Sequence, residues 1–135
     1  MKVSKKAYYG LRALTALSFS REGISVRALA EQEHIPEKYL EKILQTLHRH
    51  KFVSAYKGVR GGYVLAHSPH VINAWQIIQA LDGGFENIER PEMSGSLSPC
   101  PIVTHCQTKS IWRKLDHAIQ TTLSNITLAD LTPRR

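Results

Sequence analysis

The stretch from residue 36 to 51, "PEKYLEKILQTLHRHK", constrains the fold more than any other part of the chain. Its apolar residues recur at the i, i+3, i+4 and i+7 spacing of one buried stripe on an amphipathic helix: Leu40, Ile43, Leu44 and Leu47. Pro36 suits the first turn of that helix, because it lacks only an amide hydrogen that has no partner there. The preceding "VRALAEQE" predicts a shorter helix capped by Ser25, and "HIP" separates the two. The pair predicts a helix-turn-helix.

A second pattern follows directly, in "FVSAYKGVRGGYVLA". Its two ends are rich in aromatic and β-branched residues, and its centre holds three glycines suited to a turn with positive φ. This predicts a β-hairpin directly after the helix-turn-helix, which together make a winged helix. Lys57 and Arg60 fall at the wing tip, and Gly58, Gly61 and Gly62 leave the backbone free to approach a narrow groove.

The remaining pattern is mostly helical. A first helix capped by Ser4 is expected to run to about Ser20, and "NAWQIIQALDGG" predicts a short helix capped by Asn73 and closed by Gly83. A long final helix begins near Thr108, with apolar residues at near-heptad spacing that suit a partner helix. We expect a mainly α protein with three parts. They are a winged helix-turn-helix domain (1–83), a cysteine-containing sensor loop (84–107), and a dimerisation helix with a C-terminal tail (108–135).

Charge is distributed unevenly between the two halves of the chain. The formal net charge is +7, and residues 1–70 hold 12 Lys and Arg against 5 Asp and Glu, whereas residues 71–135 hold 6 of each. Such asymmetry favours a half that binds a polyanion, although a solvated basic face kept for solubility would give the same count. No apolar run has the length of a membrane span, and the N-terminus does not read as a signal peptide. We therefore expect a cytoplasmic protein.

The order of these patterns resembles the bacterial winged-helix repressor family of the IscR, NsrR and CymR type. The matching stretches are "YYGLRAL", "ALAEQEHIPEKYLEKILQTL", "GVRGGYVLA", "IIQALDG" and "NITLADL", which span nearly the whole chain. The resemblance implies a homodimer formed through the long C-terminal helices and bound to double-stranded DNA with a dyad-symmetric operator. Each recognition helix would enter a major groove, and each wing would enter the adjoining minor groove.

Candidate DNA contacts lie mainly on the second helix of the pair. Lys38 and Lys42 suit phosphates, whereas Gln45 and Glu41 could read adenine and cytosine amino groups. Core packing is the alternative for Tyr39, and pairing with Lys38 or Lys42 is the alternative for Glu41. The predicted set is Arg27, Lys38, Tyr39, Glu41, Lys42, Gln45, Lys57, Arg60 and Gly61.

The two cysteines, Cys100 and Cys106, are separated by five residues. The cluster-binding members that the chain resembles carry three cysteines at this spacing, followed by a histidine. The first position here is Ser94, natural or engineered, and the histidine position is Lys109. An iron–sulfur cluster, [2Fe-2S] by resemblance, would need ligands beyond the cysteines, and Ser94 and His105 are local candidates. A cluster-free thiol switch and inert cysteines remain as alternatives.

The sequence thus favours a transcriptional regulator that senses iron–sulfur status, nitric oxide or redox state. A regulator of the same fold that responds to thiols or metabolites is one alternative. A winged-helix interaction module that does not bind DNA is another, although the basic N-terminal half argues against it. An enzyme is not expected, because no nucleophile–base pair, phosphate loop or complete metal-ligand set is evident.

Overall fold

The structure, a computed structural model, describes residues 3–58, 61–83 and 107–131. Its helices and strands follow the predicted order. They are α1 (Lys5–Ser18), α2 (Val26–Glu33), α3 (Glu37–Arg49), β1 (Val53–Tyr56), β2 (Gly62–Leu65), α4 (Ala74–Asp82), α5 (Lys109–Ser124) and a short 3-10 helix (Leu128–Leu131). The mainly α, winged-helix fold expected from the sequence is confirmed.

Side-chain caps begin three of the helices, as the sequence predicts. The Ser4 hydroxyl accepts from the Ala7 amide, and the Ser25 hydroxyl accepts from the Ala28 amide. Asn73 forms a capping box at the start of α4. Pro36 differs slightly from expectation. It has ψ 126° and stands just before α3, with its carbonyl accepting from the Leu40 amide. Its extended backbone makes it the N-cap of the helix and not a residue of the first turn.

The core lies between α1, α3 and α4, with α2 and the C-terminal 3-10 helix packed against it. The stripe predicted for α3 is buried as expected. Sealing such side chains from water contributes about 1.5–3 kcal/mol each. The largest fully buried side chains are Leu14, Leu17, Leu29, Leu40, Ile43, Leu44, Leu47, Val53, Ile72, Ile77 and Leu128.

The hairpin is fastened to the linker between α1 and α2. Strands β1 and β2 pair antiparallel, with Tyr56 opposite Gly62. Ile24 then adds a short bridge to β2, because its amide and carbonyl exchange hydrogen bonds of 3.0 and 2.9 Å with Tyr63. A Cβ at Gly62 would lie 2.4 Å from the Ile24 carbonyl oxygen. Gly62 is therefore needed for close packing on the linker, whereas Gly58, with φ 139°, adopts the positive φ expected of the turn.

The C-terminal segment returns to the winged helix after α5. The Leu128 amide donates to the Ile72 carbonyl at 2.9 Å, and the Ala74 amide donates to the Ile126 carbonyl at 2.8 Å. Leu128 is 1% exposed and lies in the core. The tail is thus part of the same packed body as α1 and α4. None of the helices described is long and apolar enough to cross a membrane.

Candidate nucleic-acid interface

One face of α3 is exposed along its whole length, opposite the buried stripe. Lys38, Glu41, Lys42 and Gln45 lie on this face, as predicted. The same i+3 and i+4 spacing continues to His48 and Arg49, which are also exposed. We call these six residues the recognition row. His48 and Arg49 are not in the predicted contact set, although the same spacing places them on this face.

The surroundings of Tyr39 and Glu41 bear on the alternatives to DNA contact, which are core packing for Tyr39 and lysine pairing for Glu41. Tyr39 is half-buried, packs against the core, and meets the Tyr9 ring edge-on with centroids 5.8 Å apart. Its ring therefore packs between α1 and α3. This packing does not depend on which group the Tyr39 hydroxyl contacts. Glu41 forms no ion pair with Lys38 or Lys42 in the part of the chain that the structure describes. Its carboxylate is left to act as an acceptor on the exposed face.

Arg27 lies in the first turn of α2 and is well exposed. Its Nε is 3.4 Å from Glu31 Oε1, one turn along the helix, and both side chains face solvent. Such a surface pair contributes little to stability, about 0.3–0.5 kcal/mol. Arg27 can therefore exchange Glu31 for another anion at small cost.

The wing supplies a second positive region. Lys57 is exposed directly after β1, and the Gly61 amide closes the turn by donating to the Gly58 carbonyl at 2.9 Å. Arg60, the other predicted basic residue of the wing, lies outside the described residues. The wing and the recognition row meet at Tyr63, whose ring lies 6.4 Å from the His48 ring. Burial, and then the nearby Glu41 charge, raise the pKa of Tyr63 above its usual value.

The predicted sensor residues fall outside the described part of the chain: Ser94, Cys100, His105 and Cys106. Within residues 3–58, 61–83 and 107–131, no group of three or more His, Cys, Asp or Glu side chains is arranged to hold a metal ion. On α1, Tyr8 and Arg12 line a surface groove of about 370 Å³.

Comparison with known proteins identifies relatives over the full length of the chain. The sequence profile of the Rrf2 family, described as iron-dependent transcriptional regulators, matches residues 3–134. The Synechocystis sp. protein slr0846, named among the HTH-type transcriptional regulators, is 41% identical over 97% of this chain and 87% of its own length.

Two solved structures have the same fold. T. potens IscR superposes with a TM-score of 0.76 and 34% identity, covering 97% of this chain and 85% of that protein. The oxidised form of Staphylococcus aureus CymR superposes with a TM-score of 0.77 and 27% identity, covering 100% of this chain and 98% of that protein.

Proposed function

Since this chain belongs to the Rrf2 family of transcriptional regulators, we propose that it is a homodimer that reads a dyad-symmetric DNA operator with α3. It is a DNA-binding regulator and not an enzyme. We further propose that it acts in the cytoplasm and that the segment 84–107 senses the effector. The observation that carries the proposal is the recognition row, a polar face with three Lys and Arg against one Glu on the second helix of a helix-turn-helix, with a wing beside it.

The chemistry of the recognition row suits the major groove. Lys38, Lys42 and Arg49 can neutralise phosphates along one edge of the helix, which holds the protein in register. Gln45 has the donor and acceptor needed for adenine, and Glu41 can accept from the cytosine amino group. Arg27, Lys57, Arg60 and Gly61 would add contacts to the sugar–phosphate backbone on either side of α3.

The helix α5 is incompletely packed within one protomer, and this supports the homodimer. None of its side chains is buried within the protomer, and Ile111 at its start is 57% exposed. Leu115 and Ile119 are only half-buried on the same stripe. A two-fold pairing of α5 helices would remove this apolar surface from water.

The cysteine chemistry supports a sensing role but leaves a cluster site incomplete. The chain has two cysteines, and a cluster ligated only by thiolates needs four. Ser94 and His105 would have to complete a [2Fe-2S] site, and the serine oxygen is a harder and weaker donor for iron. The family description as iron-dependent favours a cluster. The relative solved in an oxidised form favours a thiol switch at Cys100 and Cys106, which needs no further ligand.

Selection of DNA fragments from random sequence, followed by binding at several salt concentrations, tests the DNA-binding proposal. We expect a selected operator, with affinity that falls steeply as salt rises. Lys42→Gln should weaken binding to all sequences and reduce the slope of log affinity against log salt by about one. Gln45→Ala should keep the slope and lose discrimination at one base position, by about 1–3 kcal/mol. Binding without any sequence preference would contradict the operator, and no binding to DNA at all would leave the interaction-module alternative.

A further inference from the structure

Arg12, in the middle of α1, contacts the end of α2. Its Nη2 donates to the backbone carbonyl of Glu33 at 2.6 Å and lies 3.3 Å from the Glu33 side-chain oxygen Oε2. Glu33 is the last residue of α2. Its carbonyl is one of the helix-terminal acceptors that no amide of the same helix can satisfy. Arg12 therefore caps α2 from a neighbouring helix.

The charge distribution of α2 makes this cap necessary. Carboxylates are unfavourable at a helix C-terminus, where the carbonyl ends carry partial negative charge, and cations are favourable. Yet α2 places Glu31 and Glu33 there and has no basic residue in its last turn. Glu31 is paired with Arg27 of the same helix. The positive charge beside Glu33 comes from Arg12, which lies 5.9 Å from the Tyr8 ring.

The capped end of α2 leads directly into the turn of the helix-turn-helix. His34 has the left-handed φ of 54°, and its amide donates to the Ala30 carbonyl. The Ile35 amide donates to the same carbonyl at 3.0 Å, and the Ile35 side chain is buried. Only three residues separate Glu33 from the start of α3, so a displacement of Glu33 is passed to the recognition helix.

We propose that Arg12 is a positioning residue for DNA recognition, which fixes the angle of α3 by holding the end of α2. The inference rests on the proposed function, but it assigns Arg12 no contact with DNA. Because its side chain is 37% exposed and the ion pair is partly screened, its main effect is on geometry and not on global stability. A tilted α3 would lose base-edge contacts before it lost the diffuse attraction of its lysines to phosphates.

Four full-length variants test this role: Arg12→Gln, Arg12→Lys, Glu33→Gln and the double variant Arg12→Gln, Glu33→Gln. We expect Arg12→Gln to bind the selected operator about tenfold more weakly, which corresponds to the loss of one charge-assisted hydrogen bond. Its affinity for unrelated DNA and its salt slope should not change. Arg12→Lys should recover part of the loss, because lysine keeps the charge with a single donor direction. Glu33→Gln keeps the backbone carbonyl that Arg12 caps and should bind nearly as well as the parent. The double variant should bind about as weakly as Arg12→Gln, because both lose that contact.

Other outcomes would overturn the inference in distinguishable ways. A salt slope reduced by about one, with equal losses on operator and unrelated DNA, would make Arg12 a phosphate contact. A loss that follows dissociation of the dimer, measured by sedimentation, would make it an interface residue. Unchanged operator affinity in Arg12→Gln would remove any role. If Arg12→Gln does not fold, Arg12→Lys must still weaken operator binding selectively, or the inference fails. A parent protein without any operator preference would overturn the proposed function, and this inference with it.

Discussion

Tyr63 shows how one residue can join the two parts of the DNA-binding unit. Its backbone amide and carbonyl are both hydrogen-bonded to Ile24, and its ring makes an edge-on contact with the His48 ring of the recognition row. Burial, and then the Glu41 charge, raise the pKa of its phenol. The wing is thus held both by the linker before α2 and by the outer face of α3. Its orientation relative to the recognition row follows from these contacts.

Gly62 provides the prediction at the residue scale. In Gly62→Ala the added Cβ would lie 2.4 Å from the Ile24 carbonyl oxygen and 2.6 Å from its carbon, so β2 must move away from the linker. We expect the free energy of unfolding to fall by about 1–3 kcal/mol, the usual cost of overpacking. Urea denaturation followed by circular dichroism measures this change in the free energy of unfolding. Ser54→Ala, on the exposed side of β1, is the control and should change stability by less than about 0.5 kcal/mol. Equal stability of the two variants would contradict the packing described here.

Among the elements, those specified by local pattern could be predicted from the sequence. The stripe of α3, the caps at Ser4, Ser25 and Asn73, and the hairpin after α3 all follow from spacing over a few residues. For the same reason four residues of the recognition row, Lys38, Glu41, Lys42 and Gln45, could be assigned to an exposed helix face from the sequence.

Contacts between distant segments could not be predicted. The bridge from Ile24 to Tyr63 and the return of Leu128 to the core join residues far apart in sequence, and no periodicity signals such pairing. The Arg12 contact with Glu33 belongs to the same class, since it depends on how α1 crosses α2. In the candidate site, burial of Tyr39 against Tyr9 likewise depended on the packing of α1 on α3.

The helix α5 carries the prediction at the element scale. Ile119→Asp would place a carboxylate on its apolar stripe, and each two-fold interface would bury two such charges. We expect the dimer dissociation constant to rise by at least about 100-fold, with operator affinity falling in parallel. Analytical ultracentrifugation measures the dimer dissociation constant of both the parent and the variant. Gln120→Asp adds the same charge at an exposed neighbouring position and should remain dimeric. A stable dimer in Ile119→Asp would mean that another surface forms the interface.

In the whole molecule, the proposed sensor segment is connected at both ends to structural elements of the regulator. It follows α4, whose last residue, Asp82, accepts hydrogen bonds from the hydroxyl and amide of Ser4 at the start of α1. It leads into α5, whose far end returns to the core through Leu128. In the proposed dimer, an effector that favours one arrangement of the segment would therefore act on α5 and on the distance between the two recognition helices. DNA affinity would change by the differential free energy of the effector for the two arrangements.

The cysteine pair provides the prediction for the whole molecule. We expect operator affinity of the parent to differ between a reduced sample, a sample treated with peroxide, and a sample reconstituted anaerobically with iron and sulfide. The double variant Cys100→Ala, Cys106→Ala should keep its fold, its dimer and one fixed affinity, because no thiolate remains to be oxidised or to bind iron.

Ser94→Cys separates the two kinds of effector. A cluster would be retained more tightly by this variant, because sulfur is the softer donor for iron, and iron and sulfide analysis with visible absorption would detect it. If a thiol switch operates instead, the reconstituted sample contains no bound iron, and the peroxide response survives in Ser94→Cys. The cluster and the thiol switch both depend on Cys100 and Cys106. A double variant that still responds to peroxide or reconstitution as the parent does would place the sensor elsewhere in the molecule. A parent with the same operator affinity in all three states would leave the cysteines without a sensing role.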